Sequence, residues 1–315
     1  MLYGGRSAEH EVSCVSAESL LKAIDADRYD VRTVRIEKDG AWEGGDPWAV
    51  LGEADVVFPV LHGPMGEDGT VQGLFEMIGV PYVGCGVLSS ALAMDKVVAK
   101  QVLAAAGLPQ VRSAALRHGV TADDVADLGW PRFVKPANMG SSVGVSKVRS
   151  ADELAGALEL AFLYDEWVLV EEGVTAREVE CAVLGGLDPK GTRLGEIVPG
   201  ADFYDYEDKY SGLGAELFVP ADVPDAVHEE ARALAVRAFQ ALRCDGLARV
   251  DFFLEEGGRG LLINEVNTMP GFTPYSMYPQ LWGAEGLSYP ALVDRLVELA
   301  LERHARRAAH TGRGR

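Results

Sequence analysis

The chain of 315 residues contains few cysteines and little positive charge. Its four cysteines lie far apart and form no C-x-x-C pair. Scattered thiols of this kind are typical of buried core positions in a reducing cytoplasm, which we predict as the location. The formal net charge is −19, which argues against a general surface for nucleic acids or anionic membranes, since both need excess lysine and arginine. A few local cations can still hold a small anionic ligand.

Long apolar runs are also missing. No stretch of about 18 apolar residues occurs, so we predict no membrane span. The first residues lack the basic-then-apolar pattern of a signal peptide. The last residues, RHARRAAHTGRGR, are basic, and we interpret them as a frayed helix end, with nucleic-acid contact as the alternative.

Strand and helix patterns divide the chain into units, and its length suits two or three domains. Residues 1–90 alternate β and α segments, which predicts a parallel-sheet domain whose first strand, at Leu2, is cut short. Residues 91–174 and 175–315 each combine strands with helices, and we predict two further sheet-plus-helix domains. The predicted fold class is therefore α/β. Residues 89–107 predict one continuous helix.

A loop of small residues, Asn138 to Gly144 (NMGSSVG), lies between two predicted strands and follows Lys135. Small residues let a backbone approach a ligand, and turn amides can surround phosphate oxygens. The loop lacks the Walker A pattern and opens no helix, so a flexible hairpin is the alternative. Lys135 stands in an apolar strand, where burying a lysine is costly unless an anion meets it. Lys96 fits either an anion site or an exposed surface.

Two predicted strands, RVDFFL and LLINEVN, carry the acids best suited to a metal ion. Side chains alternate along a strand, so Arg249 and Asp251 share one face, as do Glu265 and Asn267. The short EEGGRG turn between the strands predicts a hairpin that brings these groups together. Grouped oxygen ligands suit Mg²⁺, which keeps its other positions for phosphate and water. A solvated polar face with salt bridges to Arg249 is the alternative.

Three further segments carry candidate ligand contacts at the ends of predicted strands, where open α/β sheets bind ligands. In AEHEVS, Glu11 is placed to hold an ammonium group, unless it caps a helix. In LHGPMGEDG, His62 is an acid, a base or a polar contact, unless it is a satisfied loop histidine. In EVNTMPGFTPYSMYP, the Gly271 amide is free between prolines, and Ser276 with the next amide suits a carboxylate, unless this is only an ordered loop.

These stretches together closely resemble D-alanine–D-alanine ligases of the ATP-grasp superfamily. The resemblance runs from GGRSAEHEVS to the last helix and includes HGPMGEDGTVQGLFE, AMDK, FVKPANMGSSVGVSKV, FYDYEDKY, RVDFF and INEVNTMPGFTPYS in the family's order. It implies ATP held between two small sheets. It also implies phosphorylation of one D-alanine carboxylate, attack by the amine of a second D-alanine, and a role in peptidoglycan precursor synthesis. The resemblance further implies two bound Mg²⁺ or Mn²⁺ ions and, commonly, a homodimer.

The resemblance also implies a role for each matching residue. The residues implied to contact ATP are Lys96, Lys135, Ser141, Ser142, Glu171, Gly173, Val174, Glu178, Lys209 and Asn267. The implied metal ligands are Asp251, Glu265 and Asn267. The residues implied to contact the substrates or the tetrahedral intermediate are Glu11, His62, Arg249, Gly271, Ser276 and Met277. Residues 200–215 would form a lid, in which Tyr210 bonds to Ser141, and Ser141 in turn meets Glu11.

Two departures and three rival functions stay open at the level of sequence. Gly173 stands where the family commonly has a bulky aromatic, which predicts looser adenine packing. The short first strand predicts an exposed sheet edge or the loss of a central strand. A ligase making D-alanyl-D-serine, or one using a modified D-amino acid, keeps the same fold, whereas the pattern at 207–210 (EDKY) argues against D-lactate. A catalytically inactive nucleotide-binding protein would not need the complete set of charged residues.

Overall fold

The computed structural model of the protein describes residues 1–118, 125, 127–198 and 216–310. The first sheet consists of β1 (Leu2–Gly4), β2 (Val34–Ile36) and β3 (Pro59–Val60), accompanied by α1 (His10–Ala23), α2 (Pro47–Leu51) and α3 (Thr70–Ile78). Its strands are parallel in the order β2-β1-β3. The short β1 therefore lies in the middle of the sheet with a partner on each side, so the central strand is not lost.

The second sheet is antiparallel and follows two helices, α4 (Val87–Met94) and α5 (Lys96–Ala105). Its strands are β4 (Ser113–Arg117), β5 (Arg132–Pro136), β6 (Ser146–Val148) and β7 (Trp167–Glu172), in the order β4-β7-β5-β6. Helix α6 (Ala151–Phe162) covers one face through an apolar cluster that includes Val134 and Val170. On the other face, Val97 of α5 packs against Leu169.

The helix predicted over residues 89–107 is wrong, because the chain breaks it at Asp95. That residue has an extended backbone (φ −78°, ψ 100°), and its carboxylate accepts a hydrogen bond from the Val98 amide at 3.0 Å. The aspartate thus caps α5, as such residues commonly do. The break places Lys96 at the start of α5, where it faces the second sheet.

The third sheet is the largest, and β12 pairs antiparallel with strands on both sides. Its strands are β8 (Arg177–Gly185), β9 (Lys190–Gly191), β10 (Gly195–Val198), β11 (Glu216–Phe218), β12 (Gly246–Glu255) and β13 (Gly260–Asn267), and its helices are α7 (Asp225–Ala241), α8 (Met277–Ala284) and α9 (Tyr289–Ala308). The order is β11-β10-β8-β12-β13, with β9 paired to β8. One face is buried against an apolar cluster shared with α4, α5 and α7.

The first and third sheets share one apolar core. Leu20 of α1 and Val60 of β3 lie in the same buried cluster as Leu292 and Leu296 of α9. Arg303, also on α9 and buried, donates through Nη2 to the Tyr82 carbonyl at 2.7 Å. Helix α9 therefore packs against the first sheet and joins it to the third.

This architecture confirms the predicted α/β fold class, with a parallel first sheet followed by two sheets that pack with helices. The domain limits at 1–90, 91–174 and 175–315 stay predictions. In the part of the chain that the structure describes, no helix combines the length and the apolar character that crossing a membrane requires.

Candidate functional site

A charged cleft lies where the second sheet faces the third. On the second sheet, β5 and β7 pair Phe133 with Glu171 and Lys135 with Leu169, so Lys135 and Glu171 project from the same face. Lys135 Nζ lies 2.6 Å from Glu171 Oε2 and 3.4 Å from the Oδ1 atom of Asn264, on β13. A cation of one sheet thereby reaches the other.

Glu171 is held by two lysines at the back of this cleft. Lys100 Nζ, on α5, lies 2.6 Å from its Oε1 atom. Burial alone would raise the pKa of Glu171, but the attraction of Lys135 and Lys100 outweighs it and lowers this pKa to about 2. Burial likewise tends to lower the pKa of Lys135, and the attraction of Glu171 reverses the effect. Glu171 and Lys135 are therefore both ionised at neutral pH.

Lys96 connects the glycine- and serine-rich loop with the acid hairpin. Its Nζ donates to the Met139 carbonyl at 2.7 Å and lies 3.9 Å from Glu265 Oε2. In the same loop, Ser141 and Ser142 have φ angles of 47° and 61°. Two consecutive non-glycine residues in the left-handed region are unusual and strained, and such strain clusters at ligand-binding sites.

The acid hairpin has the predicted arrangement. β12 and β13 pair Asp251 with Glu265 and Arg249 with Asn267, which places these four side chains on one face. Arg249 binds Asp251 through two hydrogen bonds of 2.7 Å, and Asn267 Nδ2 donates to Asp251 Oδ2 at 2.8 Å. The opposite face is apolar and fully buried, and it consists of Val250, Phe252, Ile263 and Val266.

The donor atoms of this face fit a magnesium ion. Asp251, Glu265 and Asn267 offer two carboxylates and one carboxamide, the hard oxygen ligands that Mg²⁺ prefers. Across residues 1–118, 125, 127–198 and 216–310, no three His, Cys, Asp or Glu side chains form a complete metal cage. Two carboxylates and one carboxamide are fewer ligands than Mg²⁺ takes, so phosphate oxygens and water would complete the coordination shell of a bound ion.

The contact predicted between Ser141 and Glu11 is wrong, since Ser141 meets Glu9 instead. The Ser141 hydroxyl donates to Glu9 Oε1, and Glu9 is 7% exposed. Glu11 lies one helical step further along α1, with a side chain 71% exposed and paired to Lys38 at 2.6 Å. The helix begins at His10, so Glu9 still belongs to the loop at the strand end, whereas Glu11 is already on an outward face. The start of α1 therefore decides which of the two acids faces the loop.

A cavity of about 250 Å³ opens beside Glu9. Its walls come from three loops, and the lining residues are Arg6, Ser7, Ala8, Glu9, Pro64, Met65, Met139, Gly140 and Val143. Gly140 lies directly against the carboxylate, because a Cβ atom at this position would be 2.8 Å from Glu9 Oε2. The cavity suits a small polar molecule with a positively charged group near the carboxylate.

His62 lies next to this region and is buried in the protein. Its Nδ1 atom is 3.1 Å from the Met269 carbonyl and its Nε2 atom 3.4 Å from Ser16 Oγ. Burial lowers the pKa of His62, although the charge of Glu9 opposes this shift. The ring is therefore neutral at neutral pH and serves as a polar contact between the first sheet and the loop that follows β13.

Glu67 was not anticipated, and it joins the same two segments. It accepts hydrogen bonds from the Gly63 amide at 2.8 Å and from the Met269 amide at 3.3 Å. Burial raises the pKa of Glu67 to about 8, and the nearby Glu9 carboxylate adds to the shift. In the sequence, Glu67 is only an acid inside LHGPMGEDG. Its burial in the structure is what gives it a role.

We expect Glu67 to make folding stability depend on pH. Its folded-state pKa lies above the unfolded value of ~4.3, so its contribution is complete below that pH and is lost as pH rises toward the folded pKa. Between these two pKa values, Glu67 is protonated in the folded state and ionised in the unfolded state. Over that range the free energy of unfolding falls by ~1.4 kcal/mol per pH unit. The difference in melting temperature between wild type and Glu67→Gln should therefore fall from pH ~5 to pH ~8 and then level off. A difference independent of pH would contradict this expectation.

The loop after β13 contains Gly271, Ser276 and Met277, the residues predicted to contact the intermediate and a substrate carboxylate. Ser276 precedes α8 and accepts a hydrogen bond from the Thr273 amide at 3.0 Å, while its oxygen would lie 3.0 Å from a Cβ atom at Gly271. Gly271, Ser276 and the Met277 amide are thus neighbours at a helix N-terminus, where backbone N–H groups favour anions.

The backbone around Gly173 explains why this position carries no aromatic side chain, unlike the pattern that the family commonly shows. Gly173 donates its amide to the Pro131 carbonyl at 2.7 Å, and a Cβ atom at this position would lie 2.8 Å from Pro131. An aromatic side chain therefore does not fit here without a shift of the backbone. Val174 follows on the same segment, and Glu178 lies on β8 opposite Phe253 of β12, facing the cleft.

Two predicted residues, Lys209 and Tyr210, lie outside the described residues with the rest of residues 200–215. Their predicted roles as phosphate contact and latch stay predictions.

Comparison with known proteins agrees along nearly the whole chain. The family model "D-ala D-ala ligase N-terminus" matches residues 1–50 and 44–85, and "D-ala D-ala ligase C-terminus" matches residues 102–298. A D-alanine–D-alanine ligase of Deinococcus radiodurans is 52% identical over 331 residues, covering 96% of this chain and 98% of that protein.

Solved structures extend the similarity to three dimensions. VanG D-Ala:D-Ser ligase from Enterococcus faecalis has a TM-score of 0.86 at 36% identity, covering 95% of this chain and 98% of that one. D-alanine–D-alanine ligase from Bacillus anthracis, solved in complex with ATP, has a TM-score of 0.83 at 30% identity, covering 97% and 98%. With both family models and a full-length relative at this identity, the chain belongs to the D-alanine–D-alanine ligase family.

Proposed function

We propose that the protein joins two D-alanines to D-alanyl-D-alanine, using ATP and a D-alanyl phosphate intermediate. The observation that carries this proposal is the meeting of Lys96 and Lys135 with the acid hairpin across the cleft, through Glu265 at 3.9 Å and Asn264 at 3.4 Å. Lysines on one side of the cleft and candidate metal ligands on the other are the two components that hold a triphosphate and neutralise its charge.

ATP occupies the cleft between the second and third sheets. Lys96 and Lys135 hold its phosphates, and the Ser141–Ser142 turn covers them. Glu171 accepts from the adenine amino group, the backbone at Gly173 and Val174 completes the adenine contact, and Glu178 meets the ribose. Asp251, Glu265 and Asn267 would hold Mg²⁺ or Mn²⁺, which would neutralise negative charge on the phosphate oxygens.

The first D-alanine binds in the cavity beside Glu9. The Glu9 carboxylate replaces Glu11 as the proposed partner of the ammonium group, and His62 lies close by as a neutral contact. The substrate carboxylate then faces the phosphates, and one of its oxygens takes the γ-phosphoryl group as the bond to ADP breaks. Activation is needed because a carboxylate is a poor acyl donor.

The second D-alanine enters beside the loop after β13. Ser276 and the Met277 amide hold its carboxylate, which directs its amine at the acyl carbon. The nitrogen forms the peptide bond, the bond from carbon to phosphate oxygen breaks, and the amine loses a proton. Arg249 and the Gly271 amide stabilise the negative oxygen of the tetrahedral intermediate. Most of the acceleration comes from such positioning and charge neutralisation.

The acceptor is the finer point to test, because the VanG structure is that of a D-Ala:D-Ser ligase. We expect D-alanyl-D-alanine as the main product when the protein is incubated with ATP, D-alanine and equimolar D-serine or D-lactate, with products identified by mass. D-alanyl-D-serine in excess would move the proposal to the alternative acceptor. D-alanyl-D-lactate as the main product at neutral pH would overturn the preference for an amine.

The setting of the reaction belongs to the same proposal. The dipeptide serves peptidoglycan precursor synthesis in the cytoplasm, and the protein acts as a homodimer with small-molecule substrates and without nucleic acid or membrane.

A further inference from the structure

Lys100 lies at the wall of the nucleotide cleft and belongs to none of the groups assigned to ATP or D-alanine above. It stands one helical turn after Lys96 on α5, so both lysines point to the same side of that helix. Its side chain is 9% exposed, and its Nζ atom lies 2.6 Å from Glu171 Oε1. A lysine so deeply buried needs a paired anion, and Glu171 provides it.

Glu171 receives one cation on each oxygen, from different elements. Lys135 of β5 lies 2.6 Å from Oε2 and also contacts Asn264 of the third sheet at 3.4 Å. Lys100 approaches Oε1 from α5, which is anchored on this face by Val97. Lys100 thus belongs to the helix that forms the wall of the cleft, whereas Lys135 lies in the cleft itself.

The proposed use of Lys135 creates an electrostatic problem that one lysine cannot solve. When Lys135 turns to the phosphates, its ammonium leaves Glu171 Oε2. Without Lys100, the Glu171 carboxylate, which is 3% exposed, would then be buried without a cation, which is strongly unfavourable. Either the exchange is suppressed or a second cation remains on Glu171.

We propose that Lys100 is a positioning residue, a permanent counter-ion of Glu171 that lets Lys135 transfer to the phosphates of ATP. It keeps the Glu171 carboxylate ionised and fixed, so that the same carboxylate accepts from the adenine amino group while Lys135 is engaged elsewhere. Lys100 touches neither nucleotide nor substrate. This inference rests on the proposed function, because it assumes that ATP occupies the cleft.

ATP affinity measured without D-alanine tests the proposal, by isothermal titration calorimetry with Mg²⁺ present. Lys100→Met should raise the Kd for ATP at least about tenfold, since it removes one partner of a buried ion pair. The KM for D-alanine should stay within about twofold, and Lys100→Arg, which keeps the charge, should recover most of the affinity. Lys22→Met, at an exposed position of α1, is the matched control and should bind ATP like the wild type.

A second variant pair separates positioning from a merely structural role. In Glu171→Gln the side chain carries no charge, so adding Lys100→Met should change the Kd for ATP by less than about threefold. This pair is decisive even if Lys100→Met alone fails to fold, because both charges are removed together. A folded Lys100→Met with wild-type affinity, or a double variant far weaker than Glu171→Gln, would overturn the proposal. Failure of the ligase proposal would show separately, as wild type without phosphate release dependent on D-alanine.

Discussion

Asp251→Asn should abolish phosphate release that depends on D-alanine, lowering its rate by at least about a thousandfold. Asp251 faces Glu265 across the hairpin and is the anion to which Arg249 and Asn267 both bind. The amide keeps the shape of the side chain but removes its charge. The metal-type ligand set then loses one of its two carboxylates, and Arg249 loses its bidentate partner. Release of inorganic phosphate in the presence of ATP, Mg²⁺ and D-alanine measures the effect.

Asp222→Asn is the control for this change. Asp222 is exposed near the third sheet and lies outside the cleft. The same replacement of an acid by an amide can therefore be made there without changing the cleft. It should keep the wild-type rate. A melting temperature of Asp251→Asn close to that of the wild type would assign the loss to chemistry rather than folding. An Asp251→Asn variant that retains even a tenth of the rate, as an order of magnitude, would remove this residue from the machinery.

Glu9→Gln and Glu11→Gln should differ greatly although the residues are two positions apart. Glu9 is buried beside the cavity and receives the Ser141 hydroxyl, so we expect Glu9→Gln to lower kcat/KM for the first D-alanine by about a hundredfold. Glu11 forms an exposed pair with Lys38, and such exposed pairs contribute little to stability. Its variant should match the wild type within about twofold.

Initial rates over a range of D-alanine concentrations separate the two variants. Because the same amide replaces the same acid at both positions, each variant is the other's control. A larger loss for Glu11→Gln than for Glu9→Gln would contradict the location of the ammonium site. Equal and small effects would instead move the ammonium contact away from this loop.

Much of the fold was readable from the sequence because strand and helix periods follow directly from backbone geometry. The faces of β12 and β13 were predictable, since side chains alternate and the EEGGRG turn leaves little freedom of register. The break at Asp95 was not predicted, because most residues between 89 and 107 favour helix. Only the capping bond to Val98 decides where one helix ends and the next begins.

The site was harder to predict wherever it depends on contacts between distant segments. The choice between Glu9 and Glu11 turns on where α1 begins, a boundary that sequence patterns locate only to within a few residues. Glu67 and Lys100 were missed for another reason: each is an ordinary charged residue in the sequence, and only burial against a distant partner gives it a role. Gly173 was noticed, but its cause, the close approach of Pro131, is purely tertiary.

The attachment of α9 to the first sheet has a consequence for the making of the protein. Leu20 and Val60 are synthesised before Leu292 and Leu296, against which they are buried. Domains generally fold as units while the chain grows. Here the shared cluster cannot form until Leu292 and Leu296 have been synthesised, so the apolar side chains of Leu20 and Val60 stay uncovered until then.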